Sequence, residues 1–306
     1  MSVATAPGKV MLAGEYAVLD GGTAIMIAID RRAIATVGAR RRPGSEFLDA
    51  AGEVLASEVG GDAADALAHT TVDTDALRQD RVKLGLGSSA AATVAAIGAA
   101  LGAVDRFDRA HVAALAATAH ARAQGKRGAA GSGADIAVSS HGGALAFTRG
   151  QVAPLTLPET IALDFAWTGA AADTATLVAA ITAARTRPGV DAALIAIAAA
   201  AAAIATATDA DAALAGFAAA AAATTRLADA AAVPLVPPAV TALHARLAAL
   251  GAVAKTTGAG GGDIVVIARP ATLDRNLVAA AAVEVGLWPL TLALDPTGVD
   301  FHRGAA

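Results

Sequence analysis

The stretch KLGLGSSAAATVAAIGAAL, residues 83–101, raises the question on which the architecture depends. A turn of glycine and serine, Gly85 to Ser89, is followed by alanine, valine, isoleucine and leucine without a charged residue. Such a stretch is compatible with a membrane-spanning helix, with a helix of a protein core, or with a phosphate-binding loop at a helix N-terminus. The rest of the sequence is needed to choose between these interpretations.

The composition argues against a membrane span. Hydrophobic residues make up 56% of the 306 residues, but alanine supplies much of that fraction. Alanine contributes little transfer free energy compared with leucine or phenylalanine, so we expect no contact with a membrane. The N-terminal residues lack a basic segment before an apolar core, and the chain has no cysteine. We therefore expect a cytoplasmic protein without a signal peptide, a disulfide framework or a thiol nucleophile.

Charge and motif content exclude several other functions. The net charge of −4 and the small number of aromatic residues disfavour nucleic acid as a partner. The six histidines show no metal-binding spacing, and no G-x-S-x-G segment supports serine hydrolase chemistry. Nucleic acid is therefore not expected as a partner. We expect a monomer or a homodimer.

The order of the predicted elements indicates an α+β protein of two lobes. Residues 3–39 are typical of short strands, with a turn at residues 20–22. Helices are predicted from about Ser88 to Val104 and from Asp108, as the cap, to Gln124. The second half of the chain is predicted to form a strand, several helices, a strand–loop–strand unit, and then a last helix and strand. Pro154 and Pro158 interrupt the pattern, so we predict domains at 1–155 and 156–306.

The turn before the first long helix has the features of a phosphate site. Gly85 and Gly87 let the backbone approach a ligand closely, and the helix N-terminus offers unpaired N–H groups. The hydroxyls of Ser88 and Ser89 add donors to a phosphate or ligands to Mg²⁺. The alternative is a glycine turn with a serine N-cap. A Walker A loop is excluded because its sequence pattern is absent here.

A second glycine-rich loop runs from Thr257 to Asp263, in front of the apolar strand IVVIA. Its four glycines allow the chain to pass close to a bound group. A flexible hairpin is the alternative interpretation of the same pattern.

Lys9, at the start of the first strong strand, and Asp135, in GSGADIA, are candidates for phosphoryl transfer. A carboxylate can position or deprotonate an alcohol, while an ammonium group neutralises charge on the transferred phosphoryl. Each residue taken singly can equally be a surface or loop charge.

Three segments, in this order and spacing, resemble the three sequence motifs of the GHMP kinases. They are PGKVMLAGEYAVLDGGTAI at 7–25, KLGLGSSAAATVAA at 83–96 and KTTGAGGGDIVVIA at 255–268. The resemblance implies a GHMP kinase fold, with an N-terminal lobe like domain 2 of ribosomal protein S5 and a ferredoxin-like C-terminal lobe. It also implies ATP and Mg²⁺ as cofactors.

Further details look more like phosphomevalonate kinases than mevalonate kinases. Lys83 stands two residues before the GLGSS turn, where mevalonate kinases usually have a proline-led segment, and Asp263 stands where they usually have a fourth glycine. AHARAQGKRGAAGSGADIA at 119–137 is similar to the AQGK and KRGxxGSxxD patterns of phosphomevalonate kinases. FAWTGAAADTATLV at 165–178 resembles their GWTGxxAST segment.

The resemblance assigns roles to residues of this chain. Lys9 and Asp135 would be the catalytic pair. The ATP phosphate loop would consist of Gly85, Leu86, Gly87, Ser88, Ser89 and Ala90, with the two serines as metal ligands. The acceptor substrate would be bound by Lys83, Lys126, Arg127, Ser132, Gly258, Ala259, Gly260, Gly261 and Asp263, where the cations match an acceptor that already carries a phosphate.

Two residues depart from the family pattern. Gln124 occupies the place of a Mg²⁺-binding glutamate of mevalonate kinases, eleven residues before Asp135. An amide is a weaker ligand for a hard cation than a carboxylate, so Mg²⁺ would be held by a serine, water and phosphates or by a carboxylate elsewhere. Asp173 replaces a small hydroxyl residue in the GWTGxxAST-like segment.

The resemblance therefore predicts an ATP-dependent kinase that converts 5-phosphomevalonate to 5-diphosphomevalonate in isoprenoid precursor synthesis. One alternative is mevalonate kinase or another small-alcohol kinase, in which Asp135 would deprotonate a hydroxyl. An alternative of a different class is a sensor with this fold that binds ligands without turnover. The presence of both Lys9 and Asp135 disfavours the sensor, because a binding module does not need the pair.

Overall fold

The computed structural model describes residues 2–38, 45–79, 82–126 and 131–303. The strands are β1 Ser2–Ala13, β2 Ala24–Val37, β3 Thr70–Asp73, β4 Arg78–Gln79, β5 Val82–Lys83, β6 Ala144–Thr148, β7 Gln151–Leu155, β8 Ile161–Trp167, β9 Val253–Thr256, β10 Ile264–Pro270, β11 Trp288–Leu290 and β12 Asp300–Arg303. The α-helices are α1 Glu46–Glu58, α2 Gly61–Ala68, α3 Ser88–Ala103, α4 Arg109–Lys126, α5 Ala134–His141, α6 Thr174–Ala183, α7 Val190–Ala205, α8 Ala210–Ala231, α9 Pro238–Ala248 and α10 Arg275–Glu284. The predicted α+β class is confirmed.

The described strands form three sheets. The largest has the strand order β12-β1-β2-β6-β7, with β3 also paired to β2. A four-stranded sheet has the order β11-β8-β10-β9, and all three of its pairings are antiparallel. The short strands β4 and β5 pair with each other. Strands that are distant in sequence are therefore neighbours in both larger sheets.

The chain divides into two compact units, each built from separated segments. Unit 1 consists of residues 1–9, 27–144 and 293–306, and unit 2 consists of residues 10–26 and 145–292. The division falls inside β1 and β2, so each of these strands contributes to both units. The division at 155/156 that the sequence suggests stays a prediction.

In unit 1 the alanine-rich helix α3 lies in the core. Every residue from Thr93 to Gly102 is buried, which is the pattern of a helix enclosed on all sides. Small side chains permit close approach: the ring of Phe301 lies against Gly102, where a Cβ would collide with it. Within the described ranges, no helix combines the length and the apolar character that crossing a bilayer requires. The stretch at 83–101 is thus a loop and a core helix.

Unit 2 contains two hydrophobic clusters. One surrounds α7 and α8 and includes Ile197 and Leu227. The other packs β8, β9 and β10 against α9 and α10, with Ala254 and Val265 on the packed face of the sheet. Because successive side chains of a strand alternate between faces, Lys255 points away from this second cluster.

Several sequence predictions differ in detail from the structure. The predicted cap of α4 is confirmed, since the Asp108 carboxylate accepts from the His111 N–H, but the helix continues past Gly125. The prediction of separate short strands before residue 39 is wrong, because β2 is one strand of 14 residues. Pro154 does not interrupt the fold as expected, because it lies within β7. Three consecutive arginines, Arg40 to Arg42, form a basic cluster in the sequence and lie outside the described residues.

Candidate active site

The glycine and serine turn leads into α3 with an uncapped helix N-terminus. Gly85 and Gly87 have φ angles of 77° and 74°, in the left-handed region that favours glycine. Gly87 is the N-cap, and no side chain makes a capping hydrogen bond there. The alternative of a serine N-cap is therefore wrong, since Ser88 and Ser89 lie in the first turn. This end of α3 retains backbone donors and two hydroxyls for an anion.

The backbone of Lys9 is fixed against this loop. Its N–H donates to the carbonyl oxygen of Leu86 at 2.9 Å. Glycine is required at Gly8 and Gly87, on either side of this contact, because a larger residue would collide with its neighbours. A Cβ at Gly8 would lie 2.8 Å from the Leu86 oxygen. A Cβ at Gly87 would lie 2.6 Å from Cγ of Lys9. The loop and the lysine thus fit together only without side chains at these two positions.

The Lys9 ammonium lies 3.4 Å from a carboxylate oxygen of Asp135. Asp135 lies in the first turn of α5, which begins after Gly133 in a left-handed conformation with φ 86°. The side chains of Lys9 and Asp135 are 12% and 35% exposed, so the carboxylate remains accessible. The structure therefore brings together, within unit 1, the predicted phosphate loop and the two residues predicted from distant parts of the sequence.

Ser132 has a structural contact before α5. Its hydroxyl accepts from the N–H of Ala134 at 3.2 Å, which shapes the turn that presents Asp135. Sequence reasoning did not predict α5, because the glycine and serine residues directly before residue 134 are typical of a loop.

His120 is a neighbour of the predicted phosphate loop that sequence reasoning missed. This buried histidine of α4 has Nε2 3.4 Å from the Ser89 hydroxyl, and its ring stacks on Phe47 at a centroid distance of 4.7 Å. The sequence signal was weak, since a single histidine in an amphipathic helix has many possible roles. The Ser89 side chain is thus oriented from α4 and not only by its own helix.

The predicted acceptor-binding cations differ in their surroundings. Lys83 is exposed on β5. Lys126 is exposed and donates to Glu53 of α1 at 2.9 Å. Hydrogen bonding from Lys126, followed by its positive charge and the contact from Arg122, lowers the pKa of the Glu53 carboxyl. Arg127 lies outside the described residues.

The residues at this end of α3 fit a nucleotide phosphate and Mg²⁺. The hydroxyls of Ser88 and Ser89 are hard oxygen donors, and Mg²⁺ commonly keeps several waters and binds phosphates with few protein ligands. Gln124 packs against Gly131, where a Cβ would collide with its side-chain amide. Among the described residues no group of three or more acidic or histidine side chains forms a metal cage. In the loop, the groups that would hold Mg²⁺ are the hydroxyls of Ser88 and Ser89.

The second glycine-rich loop belongs to unit 2. The Gly261 N–H donates to the Leu235 oxygen at 2.7 Å, and Gly260 leaves no space there for a Cβ. At the other end, a carboxylate oxygen of Asp263 accepts from the Ala172 N–H at 3.1 Å. Asp263 itself has a φ of 55°, in the left-handed region that aspartate adopts more often than most other non-glycine residues. The loop is therefore held in place by its neighbours, unlike a flexible hairpin.

Asp173, the departure in the neighbouring segment, caps α6. Its carboxylate accepts from the N–H and the hydroxyl of Thr176, at 3.1 and 2.7 Å. These hydrogen bonds lower the pKa of the Asp173 carboxyl. Asp173 thus serves as the N-cap of α6 in this chain.

A buried ion pair in unit 2 was also missed. The Lys255 ammonium contacts a carboxylate oxygen of Glu15 at 2.5 Å, and the side chains are 1% and 2% exposed. Burial raises the pKa of Glu15 above its ordinary value, while the charge of Lys255 opposes this shift. The available signal was a lysine inside the otherwise uncharged strand β9.

Comparison with known proteins fits the architecture. Residues 50–143, which include α3, α4 and Asp135, match the family model described as the GHMP kinases N terminal domain. Phosphomevalonate kinase of Streptomyces sp. (strain CL190) is 30% identical over 245 residues, which cover 56% of this chain. The match spans 63% of the length of that relative. The resemblance to the GHMP kinases is confirmed.

Two solved structures share the fold over nearly the whole chain. Streptococcus pneumoniae phosphomevalonate kinase, in complex with phosphomevalonate and AMPPNP, has a TM-score of 0.79 and 18% identity, covering 96% of this chain and 99% of its own. Methanococcus jannaschii mevalonate kinase has a TM-score of 0.72 and 15% identity, covering 95% and 98%. The chain has the GHMP kinase fold.

Proposed function

We propose that this protein is an ATP-dependent kinase that transfers the γ-phosphoryl group to the terminal phosphate of 5-phosphomevalonate. The observation that carries the proposal is the pairing of Lys9 with Asp135 beside the glycine loop that starts α3. A binding protein needs the loop, but it has no need of a lysine and a carboxylate held together at its edge.

The chain's own residues would act mainly by position and charge. The Lys9 ammonium neutralises charge that develops on the transferred phosphoryl group. The acceptor phosphate is already anionic, so Asp135 orients the acceptor and Lys9 rather than removing a proton. ATP with Mg²⁺ supplies the phosphoryl group and further charge neutralisation when bound. Backbone N–H groups and the hydroxyls of Ser88 and Ser89 are the groups that would hold them.

The acceptor's phosphate requires cations. Lys83, Lys126 and Arg127 are the candidates, and the exposure of the first two is compatible with that role. Ser132, Gly258, Ala259, Gly260, Gly261 and Asp263 complete the proposed acceptor-binding residues. Their assignment rests on resemblance to phosphomevalonate kinases.

The second candidate is mevalonate kinase or another small-alcohol kinase. Its support is the shared fold with a solved mevalonate kinase and the accessible carboxylate of Asp135, which could accept a proton from a hydroxyl. A non-catalytic sensor remains the alternative of another class. Cytoplasmic localisation and a monomeric or homodimeric state stay predictions of the sequence.

The test is ADP release by purified protein with Mg²⁺-ATP and, in parallel, 5-phosphomevalonate, mevalonate, mevalonate diphosphate, homoserine and galactose. Turnover with 5-phosphomevalonate alone is the expected result. Preference for mevalonate would overturn the acceptor and retain the kinase. ATP binding without turnover of any acceptor would favour the sensor.

A further inference from the structure

Two consecutive residues, Glu15 and Tyr16, contact the chain around the second glycine-rich loop, and no step of the proposed reaction uses them. Both lie in unit 2, as does the loop at residues 257–263. Glu15 binds Lys255, just before the loop, and Tyr16 binds Ala259 within it. One dipeptide therefore contacts both the loop and the strand β9 that leads into it, at residues four positions apart.

The first contact is sealed from solvent. The Lys255 ammonium donates to Glu15, to the Leu12 oxygen at 3.0 Å and to the Thr256 oxygen at 2.6 Å. Its hydrogen-bonding capacity is thus filled by three acceptors. The other carboxylate oxygen of Glu15 is buried without a hydrogen-bond partner among the described residues. A buried ion pair is a weak source of stability compared with apolar packing, so the pair is better explained by the position that it imposes.

The second contact requires a constrained backbone. Tyr16 has a φ of 61°, which is unusual for a bulky residue and persists only where surrounding contacts enforce it. Its hydroxyl donates to the Ala259 oxygen at 2.5 Å, and its ring belongs to the apolar cluster around α7 and α8. The ring is therefore fixed by packing, while its tip holds the loop.

One side of the loop at residues 257–263 packs against protein, whereas Gly258 has open space beside it. Gly260 and Gly261 lie against the backbone of residues 234 and 235. A Cβ at Gly258, in contrast, would meet no atom within 4 Å. Tyr16 binds the residue next to this open position. Fixing Ala259 therefore restrains the backbone at Gly258, the open position of the loop.

We infer that Tyr16 and Glu15 are positioning residues that hold residues 257–262 in the conformation that binds the acceptor's anionic groups. The inference rests on the proposed function for its kinetic consequence. The anchoring itself is a property of the free protein and can be measured without turnover.

The test compares the full-length Tyr16→Phe variant, which loses only the hydroxyl, with wild type. Amide hydrogen exchange of residues 257–262 should become about threefold to tenfold faster, as expected for the loss of one hydrogen bond. The acceptor KM in ADP release should rise by a similar factor, while the KM for ATP stays unchanged. Thr182→Val is the matched control, because it also removes one hydrogen bond to a carbonyl oxygen in unit 2, that of Val178.

The outcomes distinguish the anchoring of the loop from its role in acceptor binding. Unchanged exchange in Tyr16→Phe, or an equal increase in Thr182→Val, would overturn the anchoring. Faster exchange with an unchanged acceptor KM would overturn the role in acceptor binding. Absence of turnover by wild type would contradict the proposed function, while the exchange data would still decide the anchoring. If Tyr16→Phe does not fold, Glu15→Gln tests the other contact, because it removes the charge of the ion pair and keeps an acceptor for Lys255. Faster exchange of residues 257–262 is then expected, and unchanged exchange would overturn the anchoring.

Discussion

Two of the lysine–carboxylate pairs, that of Lys9 and that of Glu15, differ in almost every physical respect, although these two residues are only six positions apart in the sequence. Lys9 and Asp135 are 3.4 Å apart, and the carboxylate is 35% exposed. Lys255 and Glu15 are 2.5 Å apart and almost fully buried. The first pair can exchange its partner for a ligand, whereas the second is enclosed by protein. Similar residue types therefore have a proposed catalytic role in the Lys9–Asp135 pair and a structural role in the Lys255–Glu15 pair.

The largest effect on stability is expected from Lys255→Met. This change leaves the Glu15 carboxylate buried without its ion partner, and breaking a buried pair in this way costs about 3–5 kcal/mol. Urea unfolding of the variant and wild type at neutral pH measures the difference. A change below about 1 kcal/mol, the usual range of exposed ion pairs, would contradict the structural role of this pair.

The stability of the Lys255→Met variant should also depend on pH. Burial raises the pKa of Glu15, and removal of Lys255 takes away the main opposing contribution. The folded variant should therefore bind a proton more tightly than its unfolded chain. Relative to the double variant Glu15→Gln/Lys255→Met, its stability should be highest below the ordinary glutamate pKa and fall as pH rises through the folded-state value. A constant difference between the two variants would contradict this account.

Lys9→Met is expected to act on catalysis instead. Removal of one group that stabilises transition-state charge typically lowers kcat by about 10²–10³-fold. The melting temperature should stay close to that of wild type, because the pair is partly exposed. ADP release and thermal unfolding measure the two effects. Arg246→Met, which removes a more exposed ion pair with Glu284, is the control and should leave kcat unchanged.

A smaller effect is expected at Lys126. If this residue binds the acceptor's phosphate, Lys126→Glu should raise the acceptor KM by about tenfold, the loss expected for one charge-assisted hydrogen bond. Arg122→Glu is the matched control, because Arg122 contacts the same Glu53 carboxylate at 3.5 Å. Equal changes in both variants would show that the contact with Glu53, and not the acceptor, is responsible.

The sequence predicted those parts of the molecule that depend on local patterns. The glycines at 85 and 87 and the start of α3 follow from turn chemistry and helix propensity. Helix α5 was missed because its flanking glycines outweigh a single turn of apolar residues. The contacts of Lys255 with Glu15 and of Tyr16 with Ala259 join residues 240 and 243 positions apart. No local pattern encodes such contacts, and the same is true of His120 beside Ser89.

The most direct test of the proposed reaction is phosphorus NMR of ATP and 5-phosphomevalonate with wild type and Lys9→Met. In wild type, signals of a diphosphate ester should appear at the same rate as ADP. In Lys9→Met both should be nearly absent over the same time. If wild type does not form the diphosphate ester, the proposed reaction is contradicted. If Lys9→Met forms it at the same rate as wild type, the role of Lys9 is contradicted.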